Sequence, residues 1–414
     1  MSLKFRLIVM NFLQFFIWGA WLISFGSYVG NNLHFNGVQI GSFFATMGIA
    51  SLFMPALLGI IADRWIPAQK LYGICHFLGA VLLTAAAFQT TYIPLYVLML
   101  ACVMVYMPTL ALSYSVAYNA LAKAKMDVIK DFPPIRVWGT IGFICAMWTV
   151  DITGFKNSEI QLYVSAIASL MLAMYSFVLP KCDVNKNPES KSWIDILGLR
   201  AFALFKQRKM IVFFIFSMLL GAALQITNGF GDLFLSSFAS VPEYAHSFGV
   251  EHSIILLSVS QISETLFILT IPFFLKRFGI KKVMLMSMFA WFLRFALFGI
   301  GNPGEGLPLL ILSMIVYGMA FDFFNISGSL YVEQTTSPKI RASAQGLFML
   351  MTNGIGAIVG SYAAGAIVNN FVNKAETPSW ASAWFIFAAY ALVIGIAFAF
   401  IFKYKHERTE KIKM

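Results

Sequence analysis

Charge is what this sequence has least of. Of its 414 residues only 11% are Asp, Glu, Lys or Arg, while 59% are hydrophobic; a soluble globular chain carries about a quarter charged residues. That scarcity excludes a water-soluble core protein, a disordered chain and a coiled coil. The chain reads as an all-α polytopic membrane protein. Cysteine is scarce as well. Cys75, Cys102 and Cys145 lie in apolar runs and Cys182 opens a polar segment, so no disulfide framework is expected. The sequence has no His-Glu-x-x-His motif, no paired catalytic aspartates and no metal-ligand cluster. An enzyme is therefore not expected, nor a metal or organic cofactor. The first apolar stretch is too long for a signal peptide and lacks a small-residue cleavage pattern, so it reads as the first transmembrane helix.

The charge that is present follows a pattern. All but four of the 29 Lys and Arg fall into seven clusters: Lys4 with Arg6, Arg64 to Lys70, Lys123 to Lys130, Lys181 to Lys209, Lys276 to Lys282, Lys339 with Arg341, and the tail from Lys403. Of the four exceptions, Arg136 and Arg294 lie in or at the edge of spans. Lys156 and Lys374 are the only cations in the connections 30–37, 90–93, 151–159, 240–252, 301–307 and 372–379. This alternation is the positive-inside rule. It places both termini and the long central loop in the cytoplasm, and it accounts for the net charge of +11 without a nucleic-acid partner. The partner it implies is a lipid bilayer.

Twelve spans of about twenty residues or more can be placed: 5–29, 38–62, 70–90, 93–122, 134–155 and 159–180, then 210–238, 252–275, 281–300, 307–332, 342–371 and 380–404. The polar stretch 181–209 separates two sets of six, 1–180 and 210–404, and 405–414 forms a cytoplasmic tail. The stretch ends in WIDILGLRAFALF (193–205), an amphipathic segment expected to lie along the membrane surface. The loops after the second and eighth spans resemble two eroded copies of the major facilitator signature G-x-x-x-D-R-x-G-R-R-K. The first keeps Gly59, Asp63 and Arg64; the second keeps Arg277, Gly279, Lys281 and Lys282 but has Lys276 in place of the Asp. A repeat at equivalent places in both halves is a common transporter construction, and Asp63 with Arg64 is expected to latch helix ends.

Two acids sit where acids are costly. Glu264 lies in SVSQISETLFILTIPFF and Asp322 in SMIVYGMAFDFFNISG, and a charge at the bilayer centre costs a few kcal/mol even on lenient scales. Both are candidate proton carriers. In a two-bundle carrier the solute binds at mid-membrane between the halves, so polar residues should share a face of each helix. At about 100° per residue, Asn11, Gln14, Trp18 and Trp21 of the first span do, as do Arg136, Thr140 and Phe143 of the fifth. The seventh aligns Gln225, Asn228 and Asp232, the eighth pairs Gln261 with Glu264, and the tenth gathers Tyr317, Phe321, Asp322 and Asn325. Amides and carboxylates suit a base edge or ribose hydroxyls, and Trp18, Phe143, Tyr317 and Phe321 offer stacking faces. A neutral, polar, partly aromatic solute is indicated, although a sugar would also fit.

Each of these residues has a structural alternative. Glu264 would serve as a carboxylate bonded to a neighbouring helix, and Asp322 as the partner of Arg294. Arg136, following Pro133 and Pro134, would snorkel to the interface. Gln225, Asn228 and Gln261 would be interhelical glue, and Thr140 would bond its own helix backbone. The aromatics compete with many others for a role. Asp232, near the external end of its span, is expected to be solvated, and His76 to be hydrogen-bonded packing.

Six segments resemble one family: NFLQFFIWGAWL (11–22), FMPALLGIIAD (53–63), DFPPIRVWGTIGF (131–143), FFIFSMLLGAALQITNGFG (213–231), SQISETLFILTIPFF (260–274) and VYGMAFDFFNISG (316–328). They are similar to the NupG-type nucleoside:proton symporters of bacterial inner membranes, a branch of the major facilitator superfamily, and the likeness runs to FKYKHER (402–408). The resemblance implies a carrier that takes purine and pyrimidine nucleosides inward with a proton as coupling ion; a monomer is expected. It implies a nucleoside site lined by Arg136, Thr140, Phe143, Gln225, Asn228, Gln261, Glu264, Tyr317, Phe321 and Asp322, with Glu264 and Asp322 as the proton-coupling groups. Competing readings are transport of another polar solute such as a sugar, tested by competition with uridine, and a flux-free sensor, which would call for a long regulatory domain.

Overall fold

A bilayer offers the backbone no hydrogen-bond partner, so apolar runs satisfy their own amides as helices. The computed structural model describes residues 2–182, 199–337 and 340–404, and among these residues there is no strand. In chain order the principal helices are α1 (Leu3–Gly19), α2 (Gly37–Arg64), α3 (Ala68–Ala87), α4 (Tyr92–Lys123), α5 (Val128–Ile152), α6 (Ile160–Tyr175), α7 (Arg208–Ser237), α8 (Ser253–Ile300), α9 (Leu307–Thr335), α10 (Arg341–Met349), α11 (Ala357–Val368) and α12 (Trp380–Ile401). Ten helical stretches among the described residues are long and apolar enough to cross a membrane. The chain is an integral membrane protein.

Several expected spans differ in detail. The first, 5–29, is broken: α1 stops at Gly19, and the chain continues through Phe25–Ser27 and a π turn at Tyr28–Asn32. The fifth starts earlier than 134, at Val128, with Pro133 and Pro134 inside it. Near a helix start the carbonyls that proline leaves free are close to water. The eighth and ninth run into one helical stretch, α8, interrupted only at Gly279, whose φ of 76° lies in the left-handed region that favours glycine. The eleventh joins α10 to α11 through a π-helical segment, Leu350–Gly356.

The expected amphipathic segment lies partly outside the described residues, and its described part is a 3₁₀ helix, Leu199–Lys206. Ala201 and Leu204 are buried there and Phe205 packs on Phe214 of α7, with ring centroids 5.4 Å apart. This part docks on the protein through Ala201, Leu204 and Phe205, while Phe202 stays exposed. The side chain of Asp63 and the tail 405–414 lie outside the described residues.

Within the first half α1 packs on α5 and α6, and α3 on α4 and α6; in the second, α8 packs on α9 and α12. α2 joins the halves by running along α11 almost backbone to backbone. A methyl group on Gly41 would stand 2.3 Å from Ser361 O, and one on Gly365 would stand 2.4 Å from Gly37 O. At the terminal end, Lys4 pairs with Asp131 at 2.8 Å. Hydrogen bonds joining the two halves gather at the opposite, distal end. Gly37 N donates to Asn373 Oδ1 (3.0 Å) and Trp148 Nε1 to Ser258 Oγ (2.8 Å), beside a cluster around Lys156.

Candidate functional site

The site is built on the crossing of α8 and α9. Gly318 has no side chain, and a methyl group there would lie 2.6 Å from Ser263 C, O and Oγ, so α8 closes onto α9 at this level. Ser263 Oγ fastens the approach by donating to Ile315 O at 2.5 Å, and Ser287 Oγ donates to Ala320 O further along. The crossing brings Glu264, next to Ser263, into electrostatic range of Asp322, and both carboxylates feel the charge of Arg136 on α5. Asp322 is 8% exposed and its Oδ2 has no hydrogen-bond partner among the described residues.

Arg136 does not snorkel. Its Nε donates to Tyr114 Oη at 3.0 Å, and its guanidinium lies over the Phe15 ring, 4.0 Å from the centroid. Arg294 is not the partner of Asp322 either. It is 2% exposed, donates to Ser260 Oγ and Ser313 O (3.2 Å each), and lies 4.4 Å from the centroid of Tyr317. Tyr317 is thereby held between Arg294 and Trp291, whose ring meets it edge-on at 5.8 Å. Tyr317 and Phe321 lie parallel, 6.4 Å apart with 1° between planes. Phe321 and Asn325 line a cleft shared with Leu220, Gly221, Trp291 and Thr352.

The buried amides divide into two kinds. Gln14 is glue: its Nε2 donates to Thr109 Oγ1 (2.8 Å), while its Oε1 accepts from Tyr72 Oη (2.6 Å) and lies 3.0 Å from His76 Nε2. It faces the interior of the first half, not a shared cavity, and Asn11 likewise turns back onto its own helix through Leu7 O. His76 is packing, as expected. Gln225 and Gln261 make no side-chain hydrogen bond among the described residues and each leaves Oε1 buried without a partner, whereas Asn11, whose Oδ1 is also unpartnered, has its amide nitrogen tied to its own helix. Neither Asn228 nor Thr140 makes a side-chain hydrogen bond among the described residues, and both are half-buried. Phe143 packs edge-on against Trp18 at 6.4 Å.

Asp232 departs from expectation. It is 1% exposed, not solvated, and Ser253 Oγ donates to its Oδ1 at 2.5 Å. The sequence reading missed Phe15 and Tyr114, which hold Arg136; among so many aromatics nothing in the sequence marks them.

The geometry is a membrane-buried, charge-bearing, aromatic-lined site, and comparison with known proteins gives it a family. A family model described as Nucleoside H+ symporter matches residues 1–407. The chain belongs to the nucleoside H+ symporter family. This family member is 54% identical over 409 residues to the Nucleoside permease NupG of Escherichia coli (strain K12), covering 99% of the chain and 98% of that permease. It is 53% identical over 414 residues to the Xanthosine permease of the same organism, covering 100% and 99%. It also matches a crystal structure of a mutant of the nucleoside transporter NupG with a TM-score of 0.95 at 52% identity, over 97% of this chain and 100% of that one.

Proposed function

We propose that this symporter-family member carries nucleosides inward with protons across the bacterial inner membrane. One observation carries the reading: two carboxylates, Glu264 and Asp322, lie within electrostatic range of each other and of one guanidinium, Arg136, and Asp322 shares its helix with the parallel Tyr317–Phe321 pair. The full site comprises Arg136, Thr140, Phe143, Gln225, Asn228, Gln261, Glu264, Tyr317, Phe321 and Asp322. A base stacks against Tyr317 or Phe321, and the free amide oxygens of Gln225 and Gln261 accept from base or ribose donors. Two like charges near one opposite charge repel, so a proton on Glu264 or Asp322 removes the repulsion and one buried charge. Protonation then favours the loaded, closing state.

In this reading the chain is a monomer of twelve spans in two six-helix bundles, 1–180 and 210–404, linked by 181–209. Both termini are cytoplasmic, and the bundles rock about the central site. The experiment is [³H]uridine uptake in vesicles with and without an inward proton gradient. Gradient-driven accumulation is expected for the parent and not for the double variant Glu264→Gln, Asp322→Asn. Uptake indifferent to the gradient, or undiminished in the double variant, would sink the coupling.

A further inference from the structure

Lys156 is, with Lys374, one of two cations in connections otherwise without them, and its surroundings give a reason. It lies between α5 and α6 yet is 7% exposed. An ammonium has three protons to donate, and three acceptors surround this one: Val250 O at 3.0 Å, Glu251 O at 2.6 Å and Ser253 Oγ at 2.9 Å. All three belong to the other half of the chain. Asp151, at the end of α5, balances the charge from 3.5 Å and grips the same segment. Its Oδ1 accepts from Ile254 N at 3.3 Å, an amide in the first turn of α8 that has no partner within its own helix. Its Oδ2 lies 2.7 Å from Nδ1 of the partly exposed His252. Ser253 carries the network on to Asp232 of α7. Gln161 of α6 braces the loop from behind, donating to Lys156 O (3.0 Å) and Ser158 O (2.9 Å) and accepting from Ser24 Oγ.

We infer that Lys156, with Asp151 as its counter-charge, is a positioning residue of the transport cycle that clasps residues 250–254 to the first half and holds the distal end shut. The inference rests on the alternating-access reading. The clasp suits a step that must reverse. Shut, every Lys156 proton has an acceptor and the charge has a counter-ion; parted, the same groups face water and are solvated, so neither state strands a buried charge. An apolar gate would lose its stabilisation on opening and expose its surface. The same logic accounts for a lysine in a connection otherwise poor in cations.

The first measurement needs no substrate. Ser258, buried and accepting from Trp148 across the halves, is changed to Ser258→Cys as a reporter for a membrane-impermeant maleimide added outside. Labelling is expected to be slow in this background and about tenfold faster with Lys156→Met added, since hydrogen bonds to a charged group are lost. Asp151→Asn should give an intermediate rate. Equal rates in all three would overturn the clasp. If Lys156→Met does not reach the membrane, the pair Lys156→Cys and Val250→Cys, joined by a reducible thiol cross-linker, decides. Uptake of uridine should stop on cross-linking and return on reduction, and uptake that persists through the cross-link overturns the proposal. Accelerated labelling in a protein that moves no uridine would leave the clasp standing and sink the nucleoside reading. Unaltered labelling with intact uptake would do the reverse.

Discussion

Replacing Gly318 with alanine tests whether the close crossing of α8 and α9 sets the site. The new methyl group would lie 2.6 Å from three atoms of Ser263, two of them backbone, so rotation of a flexible side chain cannot relieve the clash. To reach ordinary contact the helices must part by about 0.8 Å. Overpacking of this kind costs about 1–3 kcal/mol. Ser263 is the neighbour of Glu264 and Gly318 that of Tyr317, so the separation also moves a carboxylate and a stacking ring apart. A displacement near 1 Å at a working site is worth up to about a hundredfold. The expected result is a uridine KM raised about ten- to a hundredfold, with a lowered thermal midpoint in detergent. Gly346→Ala is the matched control: it makes the same chemical change in α10, where the methyl group meets nothing within 4 Å. The reasoning is refuted if Gly318→Ala matches Gly346→Ala in both KM and midpoint.

The two kinds of buried amide should separate stability from binding. Gln14→Leu strands Tyr72 Oη and His76 Nε2, while Thr109 keeps its bond to Tyr106 O, and should lower stability by about 1–3 kcal/mol per stranded group, seen as a fall in thermal midpoint with uridine affinity little changed in the protein that remains folded. Gln225→Leu should leave the midpoint within the error of a neutral change, about 0.5 kcal/mol, while weakening uridine binding about tenfold or more in a direct binding assay; a normal affinity would remove Gln225 from the site. Gly279→Ala forces a side chain onto φ 76° and should cost about 1–3 kcal/mol in thermal unfolding. In competition uptake, unlabelled uridine should displace tracer uridine where glucose and lactose do not, and displacement by a sugar would favour the other solute class.

Much of the architecture is legible in the sequence because the bilayer imposes it. Apolar length and the clustering of Lys and Arg locate the crossing segments, and an acid in such a segment stands out at once, as Glu264 and Asp322 do. A helical wheel gives an angle but not a neighbour, and the misreadings arise there. Gln14 and Gln225 are both amides on a polar face, yet the first meets Tyr72 and Thr109 from distant helices, while the second leaves its oxygen free. Asp232 looked solvated from its place near a helix end; only the folded chain brings Ser253 and Lys156 around it. The alternative that Arg294 pairs with Asp322 stays open in the sequence, because nothing local shows that a ring and two oxygens already hold Arg294. Gly279 differs from the spans placed by sequence for another reason: one residue with positive φ turns the chain where the sequence places the connection 276–280.

The α2–α11 seam bears on how such a molecule moves. Where Gly41 and Gly365 meet the opposite backbone no side chain stands between the helices, and further along the seam Ile358 packs onto Gly48. Interlocked helices must lift their knobs out before they can shift, and each such step is a barrier. A smooth seam behaves instead like a plain bearing: it keeps two bodies in register while offering little resistance to a pivot. Friction in the rocking motion is then set away from the axle, at the ends, and a change that roughens the seam should slow turnover without altering what is bound.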